Sequence, residues 1–187
     1  MKEQPRLKEQ YVKEIRKQLI EELKLKSSME APVFTKVIVN VGVGEAVNDS
    51  SILETVSKEL SLITGQRPVK TYAKHAISSF KIRAGDVIGL KVTLRGPRMW
   101  HFLDRLIQVV FPRTKDFRGL PTTAFDGSGN YTIGIEEQTV FPEINPNEVS
   151  KLRGMEITIV TSSQNDEHAR LLLNKFGFPF KKDGKDL

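Results

Sequence analysis

The feature that most constrains the fold of this chain is an alternation of inward and outward residues in two segments rich in apolar residues, 33–43 and 87–95, where most of the outward positions are polar. Successive side chains of a β-strand point to opposite faces of a sheet, so each segment predicts a strand with one buried and one exposed face. In the first segment Val37, Val39 and Val41 are expected inside. The chain is therefore predicted to contain a sheet that keeps one polar face.

The predicted outer face of these two strands carries side chains that suit a polar partner. In the second strand Leu90, Val92 and Leu94 are expected to point inward. The polar residues at the outward positions of the two strands are Lys36, Asn40, Lys91, Thr93 and Arg95. A face with these amide, hydroxyl and cationic groups is able to lie along an RNA groove.

Four other segments have apolar residues at the spacing of amphipathic helices. They are residues 7–25, a segment capped by Asp49 or Ser50 that ends at Gly65, a segment from Gly96-Pro97 to Pro112, and a segment capped by Ser163 with Asp166 at the third position. Short strands are expected near residues 69–73, 131–135 and 156–161, whereas residues 113–146 are rich in turn residues. Because repeats and a clear linker are missing, residues 1–187 are predicted to form a single α+β domain with a charged tail at about 181–187.

The composition excludes several kinds of site and of cellular location. The chain has no cysteine, which rules out disulfides, thiolate metal sites and cysteine nucleophiles. Its first residues are polar and charged, and no apolar run approaches the length of a signal or membrane helix. The protein is therefore expected to be soluble and cytoplasmic, without a membrane partner.

The positive charge of the chain is concentrated in its middle. The formal net charge is +6, and residues 65–118 contain twelve Lys and Arg against three Asp. The remaining residues contain seventeen basic and twenty acidic side chains. A solvated face would usually mix both signs, so the middle segment predicts a surface for a polyanion.

No arrangement of residues predicts catalysis. Gly42 and Gly44 lie between a strand and a helix, as in a dinucleotide-binding loop, but Val47 occupies the third glycine position and a tight turn is favoured. The three histidines have no metal-ligand spacing, and Glu136 and Glu137 point to opposite sides of a strand. The chain is therefore expected to have no catalytic residues, metal or cofactor, and not to be an enzyme.

Cations and aromatic residues alternate within the positive segment. The cations are Arg67, Lys70, Lys74, Lys81 and Arg83, and the aromatic residues between them are Tyr72 and Phe80. Phosphates need cations and unstacked bases need flat apolar faces, so this alternation predicts an RNA- or DNA-binding surface. His75 could add a phosphate or base contact, or simply be solvated. Alternatively, Phe80 belongs to the core and the lysines only solvate a loop.

Several phrases of the sequence are similar to those of a known family, in its order and at its spacing from about residue 7 to residue 182. The phrases are Val39-Asn40-Val41-Gly42-Val43-Gly44-Glu45-Ala46, Thr64-Gly65-Gln66-Arg67-Pro68, Lys91-Val92-Thr93-Leu94-Arg95-Gly96, Asp116-Phe117-Arg118-Gly119, Phe125-Asp126-Gly127, Gly129-Asn130-Tyr131, Glu137-Gln138, Phe141-Pro142-Glu143-Ile144 and Phe178-Pro179-Phe180. The chain therefore resembles bacterial large-subunit ribosomal protein five, the ribosomal protein family that binds 5S rRNA.

This resemblance implies a structural constituent of the large ribosomal subunit with a role in translation. Its mainly antiparallel sheet would pack on helices on one face and leave the other face exposed for RNA. The positions that match the family's contacts with 5S rRNA are Lys36, Asn40, Gln66, Phe80 and Thr93.

The resemblance also implies further partners in the ribosome. A basic loop, here at about residues 72–83, would link 5S rRNA to large-subunit rRNA in the central protuberance and reach P-site tRNA. A contact with a small-subunit head ribosomal protein, forming an intersubunit bridge, is expected in residues 113–146, and neighbouring large-subunit proteins are expected partners too.

Two other classes of function compete with the ribosomal one. A nucleotide-dependent RNA-modifying enzyme would need a complete phosphate loop or a catalytic constellation, and the sequence has neither. A free-standing RNA chaperone would explain the charge but not the ordered similarity along nearly the whole chain.

Overall fold

The computed structural model describes residues 4–47, 49–115 and 117–181, so most of the predicted charged tail lies outside the described residues. Contact density divides the chain into two compact units. The first unit contains the residues up to Val37, Arg95–Ile133 and the residues from Thr158 onward. The second unit contains Ile38–Leu94 and Gly134–Ile157.

The chain forms a five-stranded antiparallel sheet, which confirms the predicted α+β fold. The strands are β1 Phe34–Gly42, β2 Val69–Tyr72, β3 Val87–Leu94, β4 Tyr131–Ile135 and β5 Met155–Thr161. Their order across the sheet is β2-β3-β1-β5-β4, so β2 and β4 lie at its two edges. All five strands were predicted near these positions from apolar alternation and turn residues.

Four helical regions are present in the described residues. They are α1 (Arg6–Gln10, Tyr11–Ile15 and Arg16–Glu22), α2 (Ser51–Thr64), α3 (Gly96–Arg105, Leu106–Val110 and Phe111–Arg113) and α4 (Asp166–Lys175). The middle segment of α1 and of α3 is a wider, π-helical stretch. Single 3₁₀ turns lie at Gly44–Val47, Ser78–Phe80, Gln138–Val140 and Pro146–Glu148. No helix within these described ranges combines the length and the apolarity that crossing a membrane requires.

An aromatic cluster forms part of the core of the first unit. The ring of Phe176 lies 4.8 Å from that of Phe34, 5.8 Å from that of Trp100 and 6.2 Å from that of Tyr11, measured between centroids. Aromatic pairs at such distances contribute about 0.5–1.5 kcal/mol each beyond the area that they bury. The cluster therefore holds α1, β1, α3 and α4 of this unit together.

The core of the second unit follows the predicted alternation. Leu90, Val92 and Leu94 of β3 are buried, and so are Leu60 and Ile63 of α2. Helix α2 packs on β3, so the apolar side of this strand is the helix-covered side. The helix ends at Gly65, which takes the left-handed conformation with φ 66°.

Three helix boundaries differ from the predicted ones. Helix α1 ends at Glu22 rather than at residue 25, and Lys24 takes a left-handed conformation with φ 51°. Helix α3 continues one residue past Pro112, to Arg113. The cap of α4 is Asn165 rather than Ser163.

Asn165 rather than Ser163 caps α4 because the Ser163 side chain makes its hydrogen bonds elsewhere in the same turn. The Asn165 side-chain oxygen accepts a hydrogen bond from the backbone N–H of Glu167 at 2.9 Å. The Ser163 hydroxyl instead bonds to the backbone of Asn165. It accepts a hydrogen bond from the N–H of Asn165 and donates one to the carbonyl of Asn165. Asp166 instead accepts hydrogen bonds from the backbone N–H groups of Gly127 and Gly129.

Replacing Asn165 with Ala is expected to lower the free energy of unfolding by about 1 kcal/mol, because the N–H of Glu167 loses its acceptor. Urea denaturation of the purified chain measures the effect. The neighbouring exposed residue Gln164 provides the control, since Gln164→Ala is expected to stay within about 0.5 kcal/mol of the unsubstituted chain. Equal stabilities of the two variants would contradict the assignment of Asn165 as the cap.

Candidate nucleic-acid interface

The outer face of β3 in the second unit is polar, as the alternation predicted. Lys91 is exposed and Thr93 is half-buried, whereas Leu90, Val92 and Leu94 between and beside them are buried. On β1, Asn40 is half-buried between the buried Val39 and Val41. Amide, hydroxyl and ammonium groups of this unit are thus presented by two adjacent strands of the sheet.

The register between β2 and β3 adds two residues to this face that sequence reasoning missed. Val69 lies opposite Lys91, and Thr71 lies opposite Gly89. Directly opposed residues of antiparallel strands share a face of the sheet, so Val69 and Thr71 lie on the side of Lys91. We call Asn40, Val69, Thr71, Lys91 and Thr93 the sheet face. Lys70 lies opposite the buried Leu90 and is on the other side of the sheet, where its side chain is exposed at the edge strand.

Gly89 lies where the neighbouring strands of the second unit leave no room for a side chain. A Cβ atom on Gly89 would lie 2.7 Å from the carbonyl oxygen of Val41 and 2.9 Å from the hydroxyl oxygen of Thr71. Real Cβ atoms essentially never lie this close to another heavy atom. Only glycine therefore fits between the two neighbouring strands without a shift of the backbone.

Gln66 is attached to the strand that carries Thr93. Its side-chain nitrogen donates to the carbonyl oxygen of Thr93 at 3.3 Å. The Thr64 hydroxyl accepts from the N–H of Gln66 at 3.3 Å, and its single hydrogen can be donated to the carbonyl of Leu60 at 2.7 Å or to that of Gln66 at 3.0 Å. The turn after α2 thus holds Gln66 beside the sheet face, and Arg67 follows it as an exposed cation.

The predicted basic loop is a hairpin fixed by its own backbone. Ile77 and Ile82 exchange two N–H to carbonyl hydrogen bonds of 2.9 and 3.1 Å, and Ala73 pairs with Asp86 at the base with 2.9 Å. A 3₁₀ turn, Ser78–Phe80, forms the tip, and Lys81 closes it with a left-handed φ of 55°. We call residues 72–86 the basic hairpin.

The basic hairpin exposes apolar side chains to solvent. Phe80 is 73% exposed, Tyr72 is 58% exposed and Ile77 is 46% exposed. The alternative in which Phe80 belongs to the core is therefore wrong. Exposure of large apolar groups on one short segment is typical of a binding surface, because each forgoes about 1.5–3 kcal/mol of stabilisation by full burial.

The cations around the sheet face and the hairpin have no acidic partner in the part of the chain that the structure describes. They are Arg67, Lys70, Lys74, Lys81, Arg83 and Lys91, all exposed. His75, also in the hairpin, is exposed as well. The acidic residue of the hairpin, Asp86, accepts the backbone N–H of Arg83 at 2.7 Å. Its carboxylate therefore stabilises the hairpin base.

Two of the predicted site residues belong to the first unit and are described there. Lys36 is half-buried on β1, where Phe34 two residues before it is buried in the aromatic cluster. Arg95 is exposed and in extended conformation immediately before α3. Twelve of the fourteen predicted positions thus belong to the second unit, but Lys70 lies on the opposite side of its sheet from Lys91.

Other residues of the family-like phrases have structural partners. In the second unit the Gln138 side chain is buried; its nitrogen donates to the carbonyl of Lys151 at 2.8 Å and its oxygen accepts the N–H of Arg153. Glu45 pairs with Lys151 and Arg153, and the hydrogen bond from Lys151 is the main cause of its lowered pKa. These hydrogen bonds and ion pairs hold the segment before β5 in place. Gly44 begins a 3₁₀ turn, in agreement with the predicted tight turn rather than a dinucleotide-binding loop.

The described residues offer no alternative site for metal chemistry. Among residues 4–47, 49–115 and 117–181, no group of three or more His, Asp or Glu side chains is arranged to hold a metal ion. The sheet face and the basic hairpin instead present polar, cationic and aromatic side chains.

Comparisons with known proteins point to one family. The family model described as "Ribosomal protein L5" matches residues 27–83, and that described as "ribosomal L5P family C-terminus" matches residues 87–180. A protein named "Large ribosomal subunit protein uL5" from Spiroplasma kunkelii is 54% identical over 176 residues, which are 94% of this chain and 98% of that protein.

Two further relatives with the same name have similar coverage. The protein from Acholeplasma laidlawii is 53% identical over 175 residues, or 94% of this chain and 97% of the relative. The protein from Anaeromyxobacter sp. is 50% identical over 177 residues, or 95% of this chain and 98% of the relative.

Proposed function

Since the chain belongs to the ribosomal protein L5 family and is thus a structural, non-enzymatic protein of the large ribosomal subunit, we propose that it binds 5S rRNA through the sheet face and the basic hairpin. The observation that carries this proposal is the highly exposed Phe80 among cations that lack acidic partners in the described chain. RNA offers both groups that such a surface can use, namely phosphates and unstacked bases.

In the proposed complex, the cations neutralise phosphates and the polar groups fix the position of the RNA. The Thr93 hydroxyl and the Asn40 amide hydrogen-bond to phosphate or sugar oxygens, and Lys91 lies beside them as a cation. Gln66 contacts the RNA beside Thr93, because its side chain is hydrogen-bonded to the Thr93 carbonyl.

Phe80 supplies the stacking partner in this proposal. Its ring stands at the end of the Ser78–Phe80 turn and is mostly in solvent, so a base can cover it without a rearrangement of the core. Base–aromatic stacking contributes about 1–3 kcal/mol per base. Tyr72 and His75 are the other flat side chains of the hairpin that a base or phosphate can reach.

The remaining proposed contacts rest on the resemblance to the family. The basic hairpin is proposed to link 5S rRNA with large-subunit rRNA and to contact P-site tRNA, for which its exposed Lys74, Lys81 and Arg83 are suited. Contact with a small-subunit head ribosomal protein is proposed for residues 113–146, and contacts with neighbouring large-subunit proteins complete the set.

The test is the binding of the purified protein to 5S rRNA and to a transfer RNA across a salt series. Preferential binding of 5S rRNA that persists at moderate salt is expected. Equal and steeply salt-dependent binding of both RNAs would refute the proposal and favour an RNA chaperone, because the counterion-release contribution is independent of sequence.

Replacing Phe80 with Leu is expected to weaken 5S rRNA binding by about 1–3 kcal/mol, since an aliphatic side chain cannot stack on a base. Filter binding at fixed salt measures this loss. Leu62, a 61% exposed residue of α2 in the same unit, provides the control through Leu62→Ala. Unchanged affinity of the Phe80 variant would show that Phe80 does not contact the RNA.

A further inference from the structure

The methionines of this chain differ greatly in their exposure to solvent. The sequence has four, of which Met1 lies outside the described residues. Met99 is 2% exposed and Met155 is 6% exposed, whereas Met29 is 84% exposed. A reagent in solution therefore meets the side chain of Met29 directly, but it reaches the other two only when the fold opens locally.

Met29 belongs to a turn that hydrogen bonds hold in place before β1. The N–H of Glu30 donates to the carbonyl of Ser27 at 3.2 Å, and the N–H of Met29 donates to the Ser27 hydroxyl at 3.2 Å. The Glu30 carboxylate accepts from the N–H of Lys26 at 3.2 Å. The exposure of the Met29 side chain thus follows from its place in a defined turn.

The guanidinium of Arg16, on α1 of the same unit, lies against this turn. Its Nε and Nη2 atoms donate to the carbonyl of Ser28 at 3.0 and 2.8 Å. The second hydrogen of Nη2 is shared between the Ser28 hydroxyl oxygen at 3.2 Å and the Sδ atom of Met29 at 3.5 Å. Because a thioether is only a weak acceptor, this donor stands beside the exposed sulfur without a strong bond to it.

We propose that Met29 is an oxidation site of this protein, where hydrogen peroxide converts the thioether to a sulfoxide whose oxygen accepts a hydrogen bond from Arg16. A lone pair of the sulfur attacks one oxygen of the peroxide, so the S–O bond forms as the O–O bond breaks. The leaving hydroxide takes the proton of the transferred oxygen and departs as water. The sulfur is oxidised by two electrons and the peroxide is reduced by two.

The surroundings of Met29 suit the oxidised side chain as well as the reduced one. Oxidation usually damages a fold because the sulfoxide is polar and the methionine was buried, but this side chain stays in solvent. The sulfoxide oxygen is also a stronger acceptor than the thioether, and the Ser28 hydroxyl, which is exposed, can turn to water instead. Since sulfoxides are reduced enzymatically, the modification is reversible. It involves only residues of the first unit and is independent of the proposed RNA interface.

The first test is the rate of oxidation of each methionine in the folded protein. Trypsin places Met29, Met99 and Met155 in separate peptides, residues 27–36, 99–105 and 154–170. During treatment with hydrogen peroxide, peptide 27–36 is expected to gain one oxygen at least about tenfold faster than the other two. Tandem mass spectrometry assigns the oxygen to the methionine, which matters because Trp100 shares a peptide with Met99.

Two controls connect this rate to the fold. In concentrated urea the three rates should converge, because all three sulfurs are then exposed. In the variant Met29→Leu the fast uptake of oxygen into peptide 27–36 should be absent. Similar rates at Met29 and Met99 in the folded protein would overturn the proposed site.

The second test measures the bond between Arg16 and the sulfoxide. Oxidation confined to Met29 is expected to raise the melting temperature by about 2 °C, as one exposed hydrogen bond to a charged group would in a chain of this size. The rise should vanish in Arg16→Gln and persist in Lys17→Gln, which removes the neighbouring exposed cation. Each variant is compared with its own unoxidised form, so that its altered starting stability cancels. No rise in the unsubstituted protein, or an equal rise in Arg16→Gln, would overturn the role of Arg16.

Discussion

Replacing Lys74, Lys81, Arg83 and Lys91 together with Gln is expected to lower the salt slope of 5S rRNA binding by about three to four. Each cation is exposed and has no acidic partner in the described chain, so each can neutralise one phosphate at about 0.9 per contact. Between 50 and 200 mM salt, the affinity of the unsubstituted protein should fall roughly a hundredfold further than that of the variant. Fluorescence anisotropy with labelled 5S rRNA at four or more salt concentrations measures both slopes.

A matched variant tests whether position or total charge matters in this experiment. Lys8, Lys17, Lys26 and Lys58 are exposed cations outside the sheet face and the hairpin, and their joint replacement with Gln changes the net charge by the same amount. This control is expected to keep most of the slope. If both fourfold variants lose the same slope, the cations of the hairpin and sheet face have no special role.

Replacing Gly89 with Ala is expected to lower the free energy of unfolding by about 3 kcal/mol, near the upper end for overpacking in a closely packed site. The added Cβ would meet the Val41 carbonyl oxygen at 2.7 Å and the Thr71 hydroxyl at 2.9 Å. The Thr71 hydroxyl is a side-chain atom and can rotate away, but the Val41 carbonyl belongs to the backbone of β1 and cannot move without the strand. Urea denaturation followed by circular dichroism measures the change.

Gly134 supplies the control for this substitution. It is also a strand glycine without a positive φ, but a Cβ at this position meets nothing within 4 Å. Gly134→Ala should therefore be neutral or stabilise the chain by up to about 1 kcal/mol, because alanine loses less backbone entropy on folding. A Gly89 variant as stable as the Gly134 variant would show that the strands can separate at little cost.

The sequence predicted most of what depends on local periodicity. Alternation in β3 separated Leu90 and Val92 from Lys91 and Thr93 correctly, because a strand has a period of two whatever its partners are. Helix α4 was likewise predicted from buried positions such as Leu172 and Leu173. These parts of the fold require no knowledge of distant contacts.

The side on which the β2 residues lie and the pairing within the hairpin depend on contacts between distant residues, which cannot be inferred from one sequence. The side of the sheet on which Lys70 lies follows from its pairing with Leu90, and β2 is too short and too exposed for its own pattern to decide this. Val69 and Thr71 were missed for the same reason. The hairpin was predicted as a loop because the pairing of Ile77 with Ile82 has no strong apolar alternation to indicate it.

Because β2 lies at the edge of the sheet, the residues in and around it also affect pairing with other chains. An edge strand presents unpaired backbone groups that can recruit another chain, and lysine, proline and irregular register all discourage such pairing. Here Pro68 precedes the strand, Lys70 lies within it and the register shifts between Thr71 and Tyr72. The same features are therefore expected to protect the protein from aggregation through strand addition at this edge.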